Sequence, residues 1–327
     1  MEVNKRYLLV ILSLVVLNLL IFVISLSVGE YRIPFWEVIQ TLLGSGDKKA
    51  EFIVQTLRLP RILVAFFVGA GLALAGMILQ ALTRNPLASP GVIGLNAGAG
   101  LGAIITIVLF PSISFSLVPL SAFFGAFVAG IFAYLLAWKN GSSPLRLILT
   151  GIGIAAIAQA LIQIVQMHGK IQLVTKATIW LVGSVYGRGW EHVWSLVLWI
   201  LPLIVLTFFL ISHLNVLHLG DDIARGLGSR MEWNRGRLIL ISIALTGVSV
   251  ANAGVLSFVG LMAPHIARKI VGASHGILSI TSVLVGGLIV MTADLLGRVM
   301  FAPIEIPCGI ITSIVGAPYL LYLLFRK

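Results

Sequence analysis

The chain has 327 residues, 59% of them hydrophobic and 10% charged, with a mean hydropathy of +1.09. Soluble domains carry about 25% charged residues, so a soluble enzyme or binding module is excluded and an all-α polytopic membrane protein is expected. The formal charge of +11 would suit nucleic acid, but the basic residues are scattered between apolar segments and leave no basic face to carry it.

Lys5-Arg6 opens the chain ahead of an apolar run, Tyr7–Val28, which exceeds the h-region of a signal peptide and predicts an uncleaved first span. Further apolar runs predict spans near 62–82, 92–110, 117–138, 145–166, 193–213, 238–260, 277–297 and 307–325. A shorter piece near 264–271 brings the expected total to about ten transmembrane helices. No polar block is long enough for a separate soluble domain, so residues 1–327 form one membrane domain. The lone Cys308 rules out a disulfide framework and a multi-cysteine metal site.

With the N-terminus cytoplasmic, thirteen Lys and Arg fall on inner segments and nine on outer ones. That bias predicts cytoplasmic N- and C-termini. Gly29–Leu57 and Met167–His192 then lie outside, the second with Trp180, Tyr186 and Trp190 suited to the headgroup level. His213–Arg237 lies inside and has the spacing of a short amphipathic helix on the inner surface.

The stretch Arg58–Gly100 organises the rest. Arg58 and Arg61 flank Pro60, which suits the first turn of a helix. Gly69, Gly71, Ala73, Ala75 and Gly76 let backbones approach closely within the following span. Asn85-Pro86 and Ser89-Pro90-Gly91 then break the helix twice before a second glycine-rich helix begins. Sliding the chain by 178 positions sets Gly69 on Gly247, Ala73 on Ala251, Gly76 on Gly254 and Pro86 on Pro264. The matched spans cross in opposite directions, so an inverted internal repeat of about 58–160 and 237–325 is expected. Pro86 is expected toward the cytoplasmic side and Pro264 toward the outer half, the two breaks forming gates at opposite faces.

Catalytic chemistry is missing. The only Gly-Lys pair, Gly169-Lys170, is followed by Ile171, so there is no Walker A loop. His265 opens no HExxH string, and no metal, cofactor or enzymatic site is expected. Asp294 lies four residues before Arg298 on one helical face and reads as a helix-end pair or a proton relay. Two classes fit: an ion-gradient-driven secondary transporter, and a permease driven by a separate ATPase. Gly220–Gly228, with its acidic start and glycine end, has the shape of a projection that fits an ATPase socket, which a secondary carrier does not need.

At these residues the chain resembles the permeases of iron-siderophore, haem and vitamin B12 ABC importers. The likeness covers nearly the whole chain. It is carried by Arg58-Leu59-Pro60-Arg61, Gly76-Met77-Ile78-Leu79-Gln80, Asn85 through Gly91, Gly220–Gly228, Gly254 through Leu261 with Pro264-His265, Ala293-Asp294 with Arg298, Glu305-Ile306-Pro307 and Gly316-Ala317-Pro318. It implies a bacterial cytoplasmic-membrane importer, with two permease subunits around one pathway and two ATPase subunits below that bind the ATP. An extracytoplasmic binding protein delivers the cargo, an iron(III)-siderophore first and vitamin B12 or haem second. It also implies site residues: Gly220, Asp221, Ala224, Leu227 and Gly228, in a segment of about 214–236, for ATPase coupling. Asn85, Leu87, Ser142 and Ser143 stand where the family closes its cytoplasmic gate. Arg58, Arg61 and Arg298 stand where arginines on the outer rim pair with glutamates of the binding protein; without that likeness they would serve to reach membrane lipid.

Overall fold

The computed structural model describes residues 5–139, 143–226 and 230–325. All regular structure among them is helical: α1 (Lys5–Ser27), α2 (Phe35–Leu42), α3 (Lys48–Glu51), α4 (Leu59–Thr83), α5 (Leu95–Ile104), α6 (Val118–Ala137), α7 (Pro144–His168), α8 (Ile171–Val182), α9 (Trp190–His218), α10 (Asp221–Gly226), α11 (Met231–Ala253), α12 (Val259–Val271), α13 (His275–Val299) and α14 (Cys308–Phe325). Among the described residues, eight helical stretches are long and apolar enough to cross a membrane, α4 being prolonged back through α3 to Lys48. Two shorter apolar helical stretches, Leu95–Leu109 and Ile171–Val182, accompany them, in keeping with the polytopic all-α protein expected.

The face at which α1 begins is called the near face, and its opposite the far face. α4 and α11 form the centre and bury most of their side chains, whereas α1, α7 and α9 turn most of theirs outward. Outward apolar faces suit lipid, and lipid supplies no hydrophobic drive between helices, so small residues at the crossings carry the packing. A Cβ on Gly69 would lie 2.2 Å from the Gly286 carbonyl oxygen of α13, and one on Gly76 would lie 1.7 Å from that of Gly260 in α12. Gly98 of α5 and Gly125 of α6 meet in the same manner. These contacts leave no room for any other residue.

The packing partners recur in the two halves. α4 lies antiparallel on α13, with Gly69 at Gly286 and Arg61 at Asp294. α11 lies antiparallel on α6, with Gly247 at Phe123 and Gly130 at Ile243. α4 and α11 themselves cross in opposite directions, Ser242 donating to the Ala75 carbonyl while Gly71 faces Ser249. The register differs from the sequence expectation, however. α4 ends at Thr83 and α11 at Ala253, a separation shorter than 178. Gly76 sits inside α4, whereas Gly254 follows α11 with φ +70°, so these two glycines are not equivalent.

Three other expectations are corrected. The expected span 238–260 is helical only to Ala253, because Gly254 turns left-handed and 254–258 runs on without helix. The stretch 167–192, expected as an outer loop, contains α8. The outer loop 29–57 contains α2, and Phe52–Arg58 winds as a π-helix straight into α4. Pro60 stands in the first turn of α4, as expected, although that turn continues the π-helix. The wider register absorbs a residue that has no N–H to give the preceding turn.

Candidate translocation site

Two broken segments enter the body of the protein from opposite faces. After α4, Arg84 adopts a left-handed conformation (φ 51°) and Asn85 Oδ1 accepts the Leu87 N–H at 2.9 Å. The chain then turns back inward, and α5 starts only at Leu95. From the far face, 254–258 descends in the same way to α12, which starts beyond Phe258 (φ 65°). The segments meet at the level of Leu72–Gly76. A Cβ on Gly260 would touch the Leu72 carbonyl and the Pro90 ring. Ser89, Pro90, Gly91 and Asn96 of one, with Leu256, Ser257 and Phe258 of the other, line one cavity of about 220 Å³. The expectation of two gates at opposite faces is therefore corrected: the breaks share one interior site. Pro264, expected toward the outer half, instead lies inside α12, which runs from that site to the near face, where Ile270 lines a surface pocket with Arg6 and Val10 of α1.

A larger cavity, about 670 Å³, opens at the far face. Its walls come from α8 (Lys176, Ile179, Trp180), the following loop (Ser184, Tyr186, Arg188), the end of α11 (Ala253) and the approach to α14 (Glu305, Ile306, Pro307). Gly183, at φ +79°, brings its carbonyl to the Gly309 N–H at 3.1 Å and so ties the loop to α14. Lys176 lays its ammonium over the Phe115 ring, 4.0 Å from the centroid. Burial holds the Arg188 guanidinium below its ordinary pKa, against the pull of Glu191, and its Nη1 donates to His192 Nε2 at 3.0 Å. Lys176, Trp180, Tyr186 and Arg188 were legible only as topology signals and headgroup aromatics. A close run of aromatic and cationic residues in one polar stretch was the available clue.

Behind this cavity lies a buried charge cluster. Arg61 donates from Nη2 to Asp294 Oδ1 at 2.7 Å and from Nη1 to Glu305 Oε2 at 2.9 Å. Asp294 also pairs with Arg298, Nε to Oδ2 at 3.3 Å, and Arg298 Nη2 donates to the Ser25 carbonyl. Arg58 donates to the carbonyls of Leu26 and Tyr31, passing Gly29, where a side chain would collide with it. Arg58, Arg61 and Arg298 are 7, 9 and 6% exposed. The expectation of three rim arginines offered to a partner is corrected on this point, since each is enclosed and engaged within its own chain. Glu305 alone brings the cluster to the surface, its side chain 33% exposed.

The near-face residues divide. Asn85 and Leu87 share one turn after α4, and Ser143 precedes α7 at the same face; Ser142 lies outside the described residues. Gly220, at φ +120°, starts the turn into α10 close to the Arg84 guanidinium, and Asp221 is the first residue of α10. Leu227 and Gly228 lie outside the described residues. Ala224, expected on the face entering an ATPase groove, is instead fully buried with Leu214, Leu217 and Met231. Ile223 is 53% exposed and takes the outward position.

Comparison with known proteins accords with this architecture. The chain is 44% identical over 98% of its length to the Fe(3+)-citrate import system permease protein YfmE of Bacillus subtilis, covering 96% of it. It is 39% identical over 95% of its length to the iron(3+)-hydroxamate import system permease protein FhuG of the same organism, covering 94% of that protein. A solved structure described as an inward-facing metal-chelate type ABC transporter superposes with a TM-score of 0.87 at 31% identity, over 97% of this chain and 99% of that one. The model of the FecCD transport family matches residues 16–326, and the chain belongs to that family.

Proposed function

We propose that this chain is the membrane permease of an ATP-driven importer of iron(III) chelates, siderophores above all, in a bacterial cytoplasmic membrane. The observation that carries it is the pair of inverted broken segments meeting at one interior cavity beneath a far-face vestibule large enough for a chelate. Such an arrangement suits alternating access, since half-helices can tilt about a contact inside the membrane. The import permeases that this chain resembles supply the cargo class. Two permease subunits would enclose the pathway. A binding protein would deliver cargo at the far face, the extracytoplasmic one, and ATPases would engage α10 and the turn at Asn85, Leu87 and Ser143 at the near, cytoplasmic one. Arg58, Arg61 and Arg298 would hold the far rim from behind rather than present it. An ion-coupled carrier is less supported, because Asp294, its best relay, is already shared by two arginines.

Reconstitution of the permease in vesicles with its ATPases and binding protein tests this reading. Radioiron should enter from a ferric siderophore only when ATP is supplied on the ATPase side. Uptake that follows a proton or sodium gradient without ATP would overturn it, and uptake of cobalamin or haem in place of iron would move the cargo.

A further inference from the structure

The far-face cavity has a chemical preference written on its walls. Two cations line it, Lys176 and Arg188, against one carboxylate, Glu305. That carboxylate is already engaged at 2.9 Å by Arg61, whose Nε and Nη2 donate to Asp294. Glu191 stands beside Arg188 but does not line the cavity. Lys176 rests on an aromatic face rather than on an acid. Trp180, Phe115 and Tyr186 add broad flat surfaces, and about 670 Å³ is the size of a site for a drug-sized molecule. A neutral cargo would gain nothing from the charge of Lys176 and Arg188, and a cationic one would be repelled by it.

We propose that this vestibule is a transit site for an anionic, carboxylate-bearing ferric chelate, with Lys176 and Arg188 as its charge contacts and the aromatic walls receiving its apolar parts. The assignment rests on the import reading above and narrows its substrate class. Arg61 reinforces the preference from behind. Its pairing with Glu305 neutralises the one wall carboxylate that would otherwise oppose an anion. Charge contacts in a partly enclosed cavity are screened less than on an open surface, so the selectivity survives moderate salt.

The test uses the permease assembled with its ATPases in lipid nanodiscs, with two radioiron probes: ferric citrate, an anionic carboxylate chelate, and ferrioxamine B, a cationic hydroxamate chelate. Wild type should retain ferric citrate the better of the two. Lys176→Glu with Arg188→Glu should weaken ferric citrate roughly tenfold, a change of about 1.4 kcal/mol, and should leave ferrioxamine B bound no less tightly than before. Lys176→Gln should fall between. Copurification of the ATPases shows that the variants are assembled. Equal losses for both probes would assign the residues to shape alone and overturn the inference. So would a double variant that holds ferric citrate as wild type does, or a wild type that holds neither probe. The transport reading is judged separately, by ATP-dependent iron uptake in wild-type vesicles. Uptake with no charge preference removes the inference and leaves that reading standing.

Discussion

Asp294 ties two helices together at the far end of the molecule, α13 to α4. It holds Arg61 through three contacts of 2.7 to 3.1 Å and Arg298 through a fourth at 3.3 Å. Its side chain is 4% exposed. Two guanidinium groups inside a membrane protein require a counter-charge, and removing one partner of a buried pair costs about 3–5 kcal/mol. Asp294→Asn should therefore lower the thermal unfolding midpoint of the detergent-solubilised protein clearly. Arg298→Met in the same background should recover part of the loss, because it removes one stranded cation. A double variant no more stable than Asp294→Asn would mean that Arg298 finds its compensation elsewhere. The pairing with Arg298 was legible as an i, i+4 spacing. The stronger pairing with Arg61 was not, because 233 positions separate the two residues and only the crossing of α4 on α13 brings them together.

At the scale of elements, the long apolar runs were legible because a membrane span needs about twenty apolar residues whatever its neighbours are. The shorter elements were not. α8 is apolar but has only twelve residues, interrupted by Gln172, Thr175, Lys176 and Thr178, so a reading that looks for spans of about twenty passes it over. α10 has six residues, too few for a period to tell its inner face from its outer one. Its position in the chain was legible, but its buried side was not. The difference is measurable. Ala224→Trp should destabilise the permease itself, by about 1–3 kcal/mol for overpacking, and lower its yield. Ile223→Glu should leave folding intact and reduce copurification of the ATPases. A folded, fully coupled Ile223→Glu protein would remove α10 from the ATPase contact. The crossing of α4 on α12 gives a second contrast. Gly76→Val must push α12 off the helix and should abolish stable protein. Gly153, with nothing within 4 Å of its missing side chain, should accept alanine with stability unchanged or raised by up to about 1 kcal/mol, as a thermal melt would show.

For the whole molecule, the decisive feature is where the two interruptions end up. The first was legible as a cluster of Pro, Ser and Gly at the end of an apolar run, and the opposed crossing of the two spans was legible, although the 178-position offset set the wrong residues against each other and carried the second helix past its break at Gly254. The meeting point of the two breaks was not legible, because the length of extended backbone after each break sets how deep the next helix starts. Seen from one strand of sequence, a break after Thr83 belongs to one face and a break after Ala253 to the other. In three dimensions both re-enter, and Ser89 and Ser257 line the same 220 Å³ cavity. If the two segments separate and rejoin as access alternates, joining them should arrest transport without unfolding the protein. Ser89→Cys with Ser257→Cys, in a Cys308→Ala background, places one thiol on each segment. A short bifunctional thiol reagent should link them within one chain and stop ATP-driven iron uptake. Either single variant treated in the same way should keep most of its transport. ATP hydrolysis measured alongside separates the outcomes: continued hydrolysis without uptake marks a blocked pathway, and loss of both marks a permease that can no longer cycle. Full uptake by the linked protein would mean that the interior contact stays closed throughout the cycle, and that cargo passes along another surface of the chain.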